Sequence, residues 1–210
     1  MSAVSPSKAS ARTLGVLALV AVVAYALDQF TKFLISTNLT VGETVPVLGD
    51  FLVLHFVKNP GAAFSLASGS TWIFSILATV VVIVIVWFAR RIKSLAWAVV
   101  FGLLLGGVLG NLTDRLLREP SFGLGHVVDF ISTPWLIPAI YNVADMCIVV
   151  AMVLFVLLTL LGVNLDGTRT TKQSKAGTAE STSSTDADAD GASTQTEGVD
   201  GDSTSQPKAE

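Results

Sequence analysis

The sequence predicts an all-α polytopic membrane protein with four transmembrane helices, a small extracytoplasmic β-sheet and a disordered cytoplasmic C-terminal tail. Three observations predict it. Four apolar stretches each reach the roughly 20 residues that a helix needs to cross a hydrocarbon core. Hydrophobic residues make up 51% of the 210-residue chain and charged residues only 14%, with a mean hydropathy of +0.67, which separates it from ordinary soluble domains. Lysines and arginines gather beside alternate span ends, as a two-sided membrane topology requires.

A short N-terminus, residues 1–12, carries Lys8 and Arg12. The first span is expected over residues 13–35, where Asp28 and Lys32 follow the apolar run in place of a small-residue cleavage site, so it does not read as a cleavable signal peptide. The second span, 71–89, and the third, 94–113, contain no charge. The fourth, 140–163, has only Asp145, near its start. Lys8 and Arg12, then Arg90, Arg91 and Lys93, then Arg169, Lys172 and Lys175 all fall on one side of a four-span chain. The positive-inside rule makes that side the cytoplasm and places both termini there. Trp72, Trp87, Trp97 and Trp135 fall at span ends or beside them, where aromatic belts sit.

Between the first two spans, residues 40–66 mix β-formers such as Val53-Leu54-His55-Phe56-Val57 with the turn signals Pro46 and Gly49-Asp50, which predicts a small antiparallel sheet on the outer surface. Residues 119–139 hold Pro120, Gly123, Gly125, Pro134 and Pro138 and read as a loop or short interfacial segment. The membrane domain thus covers residues 13–163. Residues 164–210 hold nine acidic against four basic side chains and almost no large apolar residue, a composition that cannot bury enough surface to fold. The acidity of the chain belongs to this tail and says nothing about a substrate.

Two carboxylates stand where a membrane protein seldom keeps them. Asp129 lies in the apolar run Val127-Val128-Asp129-Phe130-Ile131, and Asp145 opens an uncharged stretch from Met146 to Gly162. A carboxylate at membrane depth costs about 2.5–3.5 kcal/mol on insertion scales, so it persists where it has a task or a partner. Two carboxyls brought close share a proton, giving one general acid and one general base. The alternative is structural, with the pair capping helices or bonded to Arg115 or Lys32. Asp28 and Lys32, four apart, share a helix face and can pair with each other. Gly106, Gly107 and Gly110 permit close helix packing.

The expected topology brings Asp28, Asn59, Asn111, Asp114, Arg115, Asp129, Asn142 and Asp145 to the outer leaflet together. That pattern argues against a proton pathway, which would place carboxylates through the inner half of the spans as well. The sequence contains no His-Glu-x-x-His and no Gly-x-Ser-Gly with a membrane histidine, so zinc and serine–histidine hydrolysis find no support. The single cysteine, Cys147, excludes an internal disulfide and reads as packing. His55 and His126 read as structural.

Five segments, in order, resemble the motif series of bacterial lipoprotein signal peptidase (signal peptidase II): Asp28-Gln29-Phe30-Thr31-Lys32, Asn59-Pro60-Gly61-Ala62-Ala63-Phe64, Gly106 to Arg115, His126-Val127-Val128-Asp129-Phe130, and Tyr141-Asn142-Val143-Ala144-Asp145. The resemblance covers about residues 13–163, with Tyr141 where that family usually has Phe. It implies an aspartic endopeptidase of the bacterial cytoplasmic membrane that removes signal peptides from diacylglyceryl-modified prolipoproteins, cutting just before the lipidated cysteine. It implies Asp129 and Asp145 as the catalytic pair. Asn59, Asn111, Arg115 and Asn142 would bind substrate or orient the pair, with Asp28, Lys32 and Asp114 in support. The implied partners are the prolipoprotein and membrane lipid, with no nucleic acid, metal or cofactor.

Overall fold

A computed structural model describes residues 10–61 and 71–169. Four helices emerge where the apolar stretches lie: α1 (Ala11–Asn38), α2 (Thr71–Ala89), α3 (Leu95–Leu117) and α4 (Val143–Leu160). Each is long and apolar enough to cross a membrane. Their outward faces carry large apolar side chains, among them Leu19, Phe33, Ile83 and Val153, which suit lipid rather than water.

Helix α1 starts at Ser10, whose hydroxyl accepts from the Arg12 amide at 3.3 Å. Helix α3 is central and packs against α1, α2 and α4. Its glycines permit this. A Cβ at Gly106 would lie 2.6 Å from the Ala21 carbonyl of α1, and one at Gly107 would lie 2.6 Å from the Ala144 carbonyl of α4. A Cβ at Gly110 would collide with the Asp28 carboxylate. The expected close packing is therefore backbone-to-backbone, on both sides of α3.

Away from the sheet, Leu17, Ala21, Ile85, Ala89, Ile92, Trp97, Val100, Leu105 and Ala151 form the apolar core. This end is fastened by the Leu165 carbonyl, which accepts from the Lys93 and Ser94 amides at 2.9 and 3.0 Å, and by Trp97 Nε1, which donates to the Val163 carbonyl at 2.9 Å. Ordered chain thus runs past residue 163 to Arg169, which bridges back to Val163. The rest of the expected tail, residues 170–210, lies outside the described residues.

The other end carries a four-stranded antiparallel sheet, β1 (Thr44–Pro46), β2 (Val53–Asn59), β3 (Val127–Thr133) and β4 (Ile137–Tyr141), in that spatial order. The first two strands come from the predicted β-region. The other two correct the expectation of a loop over 119–139. The β-formers Val127 to Ile131 pair with β2 in the register Val57↔Asp129 and Leu54↔Ile131. The prolines did not prevent this: Pro134 falls between the strands, and Pro138 lies on edge strand β4, where a missing N–H costs no ladder bond on the open side. With 137–141 in a strand, the fourth helix begins at Val143 rather than 140. Ile35, Phe56, Val128 and Phe130 pack the sheet onto the end of α1.

Candidate active site

Each predicted site residue reaches this sheet-bearing end from a different element. Asp129 is on β3 and only 2% exposed. Asp145 is the third residue of α4, and Asn142 is that helix's N-cap. Asn59 ends β2, while Asn111, Asp114 and Arg115 lie in the last turns of α3. Asp28 and Lys32 lie four apart on α1, both fully buried.

A capping box explains how Asp145 and Asn142 are held. The Asn142 Oδ1 accepts from the Asp145 amide at 3.0 Å, and Asp145 Oδ2 accepts from the Asn142 amide at 3.1 Å. Asn142 then spans the two carboxyls, because its Nδ2 donates to Asp129 Oδ1 at 2.6 Å and to Asn111 Oδ1 at 3.1 Å. Asn59 Nδ2 donates to the other Asp129 oxygen at 2.7 Å, with its own Oδ1 held by the Gly61 amide at 2.8 Å. Asn111 Nδ2 donates to Asp145 Oδ1 at 2.8 Å. All four carboxyl oxygens thus accept one N–H each, and each keeps a lone pair for a proton, water or substrate.

Behind this pair lies a charged cluster. The Lys32 ammonium sits 2.8 Å from Asp28 Oδ2, 2.8 Å from Asp114 Oδ2 and 2.9 Å from Asn111 Oδ1. The remaining oxygens are also occupied. Asp28 Oδ1 accepts from the Ala144 amide in the first turn of α4 at 2.9 Å, and Asp114 Oδ1 pairs with Arg118 Nε at 2.6 Å. The expected Asp28–Lys32 pair is present, and it extends to Asp114, so one buried cation joins α1 to α3.

Two contributors escaped the sequence reading. Gln29 Nε2 donates to Asp28 Oδ2 and to the Gly110 carbonyl, both at 3.1 Å, stitching α1 to α3. Arg118 neutralises Asp114, and their four-residue spacing was the available signal. Arg115 donates to the Asn111 carbonyl at 3.2 Å and lies 5.9 Å from the Phe74 ring centroid, and its buried Nε has no partner among the described residues. Ala62, Ala63 and Phe64 of the Asn59 motif lie outside the described residues.

Burial and, to a lesser degree, the neighbouring Asp145 charge push the Asp129 carboxyl up to about 6, against the lowering hydrogen bonds from Asn59 and Asn142 and the lowering charge of Lys32. A carboxyl that keeps its proton up to about pH 6, beside a second one bonded to N–H donors, has the makings of an acid–base pair. Among the described residues no group of three His, Cys, Asp or Glu is arranged to hold a metal ion.

Four membrane-length helices that enclose two amide-linked carboxyls at one end define a multi-pass membrane enzyme. Two solved structures, each described as a bacterial membrane enzyme, share the fold at 31% identity, with TM-scores of 0.61 and 0.62 over 74% of this chain and 92% and 97% of theirs. The family model described as Signal peptidase (SPase) II matches residues 20–161. A lipoprotein signal peptidase of Leifsonia xyli is 59% identical over 165 residues, spanning 79% of this chain and 76% of that protein. One from Rhodococcus jostii is 47% identical over 150 residues, spanning 71% and 75%. The chain belongs to the signal peptidase II family and is a multi-pass bacterial membrane peptidase.

Proposed function

We propose that this protein removes signal peptides from diacylglyceryl-modified prolipoproteins, cutting on the N-terminal side of the lipidated cysteine by an aspartic mechanism. The observation that carries the reading is Asn142, one side chain and one amide bonded to both Asp129 and Asp145. Asp145, at a helix N-terminus, serves as the base that takes a proton from water. Asp129 serves as the acid, donating its proton to the scissile carbonyl oxygen. Asp145 then passes the proton it took from water to the leaving amine while Asp129 recovers one from the gem-diol hydroxyl as the C–N bond breaks. Arg115, with an unused donor, is suited to a peptide carbonyl. Apolar helix faces beside the site suit acyl chains, and basic span ends favour a site at the outer leaflet with both termini cytoplasmic.

The test is incubation of purified protein in detergent with a prolipoprotein carrying the diacylglyceryl group and with the unmodified precursor. Release of the signal peptide from the lipidated form is expected. Equal cleavage of the unmodified form would refute the lipid requirement, and cleavage of neither would refute the assignment.

A further inference from the structure

Lys32 donates three hydrogen bonds to three acceptors. Asp114 and Asp28 also hold the Val128 and Ala144 amides beside the two reacting residues, but of the three only Asn111 touches a reacting carboxyl with its own side chain. An ammonium has donors alone, so Asn111 must turn its Oδ1 toward Lys32. The same oxygen receives Asn142 Nδ2, which fills its second lone pair. The Asn111 NH2 is therefore left facing Asp145 Oδ1. Were the amide reversed, its NH2 would meet the Lys32 ammonium and the Asn142 NH2, donor against donor. Its oxygen would then meet Asp145, a contact that needs a proton on that carboxyl. The Asn142 and Asn59 amides are locked in the same sense, their oxygens held by backbone N–H groups. Only Asn111 is locked by a charge from another helix.

We propose that Lys32 is a positioning residue that fixes the amide orientation of Asn111, and thereby presents an N–H donor to Asp145 and leaves the shared proton on Asp129. The inference rests on the catalytic reading of those two aspartates. Lys32 does not touch the reacting atoms. Burial raises the proton affinity of Asp129 whereas the Lys32 charge acting directly lowers it, so the effect assigned to Lys32 has to run through Asn111. The charged groups around the pair are Lys32 and Asp28 from α1, and Asp114, Arg115 and Arg118 from α3. Asp28 and Asp114 are both bonded to Lys32, and Asp114 also to Arg118. Arg115 faces Asp145, Asp129 and Asp114 and does not change between the states compared.

A double-mutant cycle between Lys32→Met and Asn111→Ala tests this, read as the pH profile of kcat/KM on a diacylglyceryl-modified prolipoprotein. Because Lys32→Met leaves the buried Asp28 carboxylate without its cation, the cycle is repeated with Lys32→Met combined with Asp28→Asn, which keeps the cluster neutral and leaves Asp114 paired with Arg118. Loss of Lys32 should move the acid limb of the profile upward by about one pH unit. In the Asn111→Ala background it should move nothing further. A shift that persists without Asn111 would show direct action of the Lys32 charge and overturn the proposal. An equal loss of rate at every pH, with no displaced limb, would assign Lys32 a purely structural role.

A second readout does not depend on turnover. The infrared stretch of the protonated carboxyl, recorded near pH 5, should vanish with Asp129→Asn when Lys32 is present. In the Lys32→Met, Asp28→Asn protein, part of it should vanish only with Asp145→Asn. An unmoved band refutes the positioning role. By contrast, turnover by Asp129→Asn or Asp145→Asn refutes the catalytic reading, so the two failures are distinguishable.

Discussion

The two ends of the helix bundle are held together by different physics. At the end fastened by Trp97 and Leu165, the contacts among Leu17, Ile85, Ile92, Val100 and Ala151 are non-directional, and shape and volume decide them. At the sheet end, Asp28, Lys32, Asn111, Asp114, Asp129, Asn142 and Asp145 form a chain of hydrogen bonds in which each donor has an assigned acceptor. Apolar packing tolerates a substitution of similar volume, whereas a buried polar network fails when one member changes its donor count. The proposed chemistry sits where the tolerance is least.

The largest effect expected from this contrast is on turnover. Asp129→Asn or Asp145→Asn keeps the volume of the side chain and removes its ionisation, and should lower kcat by about 10³-fold or more, because in the proposed mechanism each carboxyl acts directly in proton transfer. The double variant should be no worse than either single one, since groups acting as a unit are not additive. At the other end Leu105→Met, also volume-conserving, should leave kcat within about twofold. Comparable losses from both ends, measured on protein extracted at equal yield, would erase the distinction.

The next effect is on stability. Lys32→Met leaves the Asp28 and Asp114 carboxylates without their shared cation and should cost about 3–5 kcal/mol, the penalty for breaking a buried ion pair from one side. Trp97→Phe removes the hydrogen bond to the Val163 carbonyl but keeps most of the ring packing, and should cost about 1 kcal/mol. Thermal unfolding in detergent compares the two. A Lys32→Met protein as stable as Trp97→Phe would mean that the cation cluster contributes little to holding α1 against α3.

A smaller effect separates the sheet end into its two carboxyls by pH. With Asp129 raised to about 6, its protonated form predominates below that pH and declines above it. An acid that must be protonated gives a loss on the alkaline side, so kcat/KM should fall above about pH 6 with unit slope. Substrate that displaces water from the site should carry the corresponding limb of kcat to higher pH. The two values belong to the coupled pair and not to either residue alone. A profile flat from pH 5 to 9 would show that Asp129 does not donate the proton.

Far more of the site than of the sheet was legible in the sequence. Asp129, Asp145, Asn111 and Asn142 stand out because polar groups are rare in apolar surroundings, and membrane topology brings them to one side. The strands of residues 127–141 were hidden because Gly123, Gly125, Pro134 and Pro138 read as loop punctuation, and strand pairing depends on a partner about 70 residues away: Val57 for Asp129. The orientation of the Asn111 amide was beyond reach for a different reason. An amide shows which atom faces a neighbour only once the neighbour is known, and Lys32 is 79 positions distant. Spacing marks which residues share a helix face, but the cross-chain partner sets the chemistry of that face.

The smallest effect expected is at the chain's acidic end. Deleting residues 170–210 removes Ser, Thr and Asp-rich sequence and keeps every residue that fastens the apolar end, through Leu165 and Arg169. Leu165 is bonded beside Ser94, at the start of α3, whereas Asn111 lies 17 residues along that helix, about 26 Å away at the usual rise. Turnover per molecule should therefore change by less than about twofold, since nothing at that distance alters the donors around Asp129 and Asp145. Deleting residues 164–210 is the sharper cut. It removes the Leu165 carbonyl that satisfies the Lys93 and Ser94 amides, and should reduce the amount of protein in the membrane while leaving kcat of the surviving fraction intact. If the shorter deletion instead accumulates normally yet fails to process a lipidated substrate, the two ends of the molecule are coupled, and the separation of packing from chemistry along α3 is wrong.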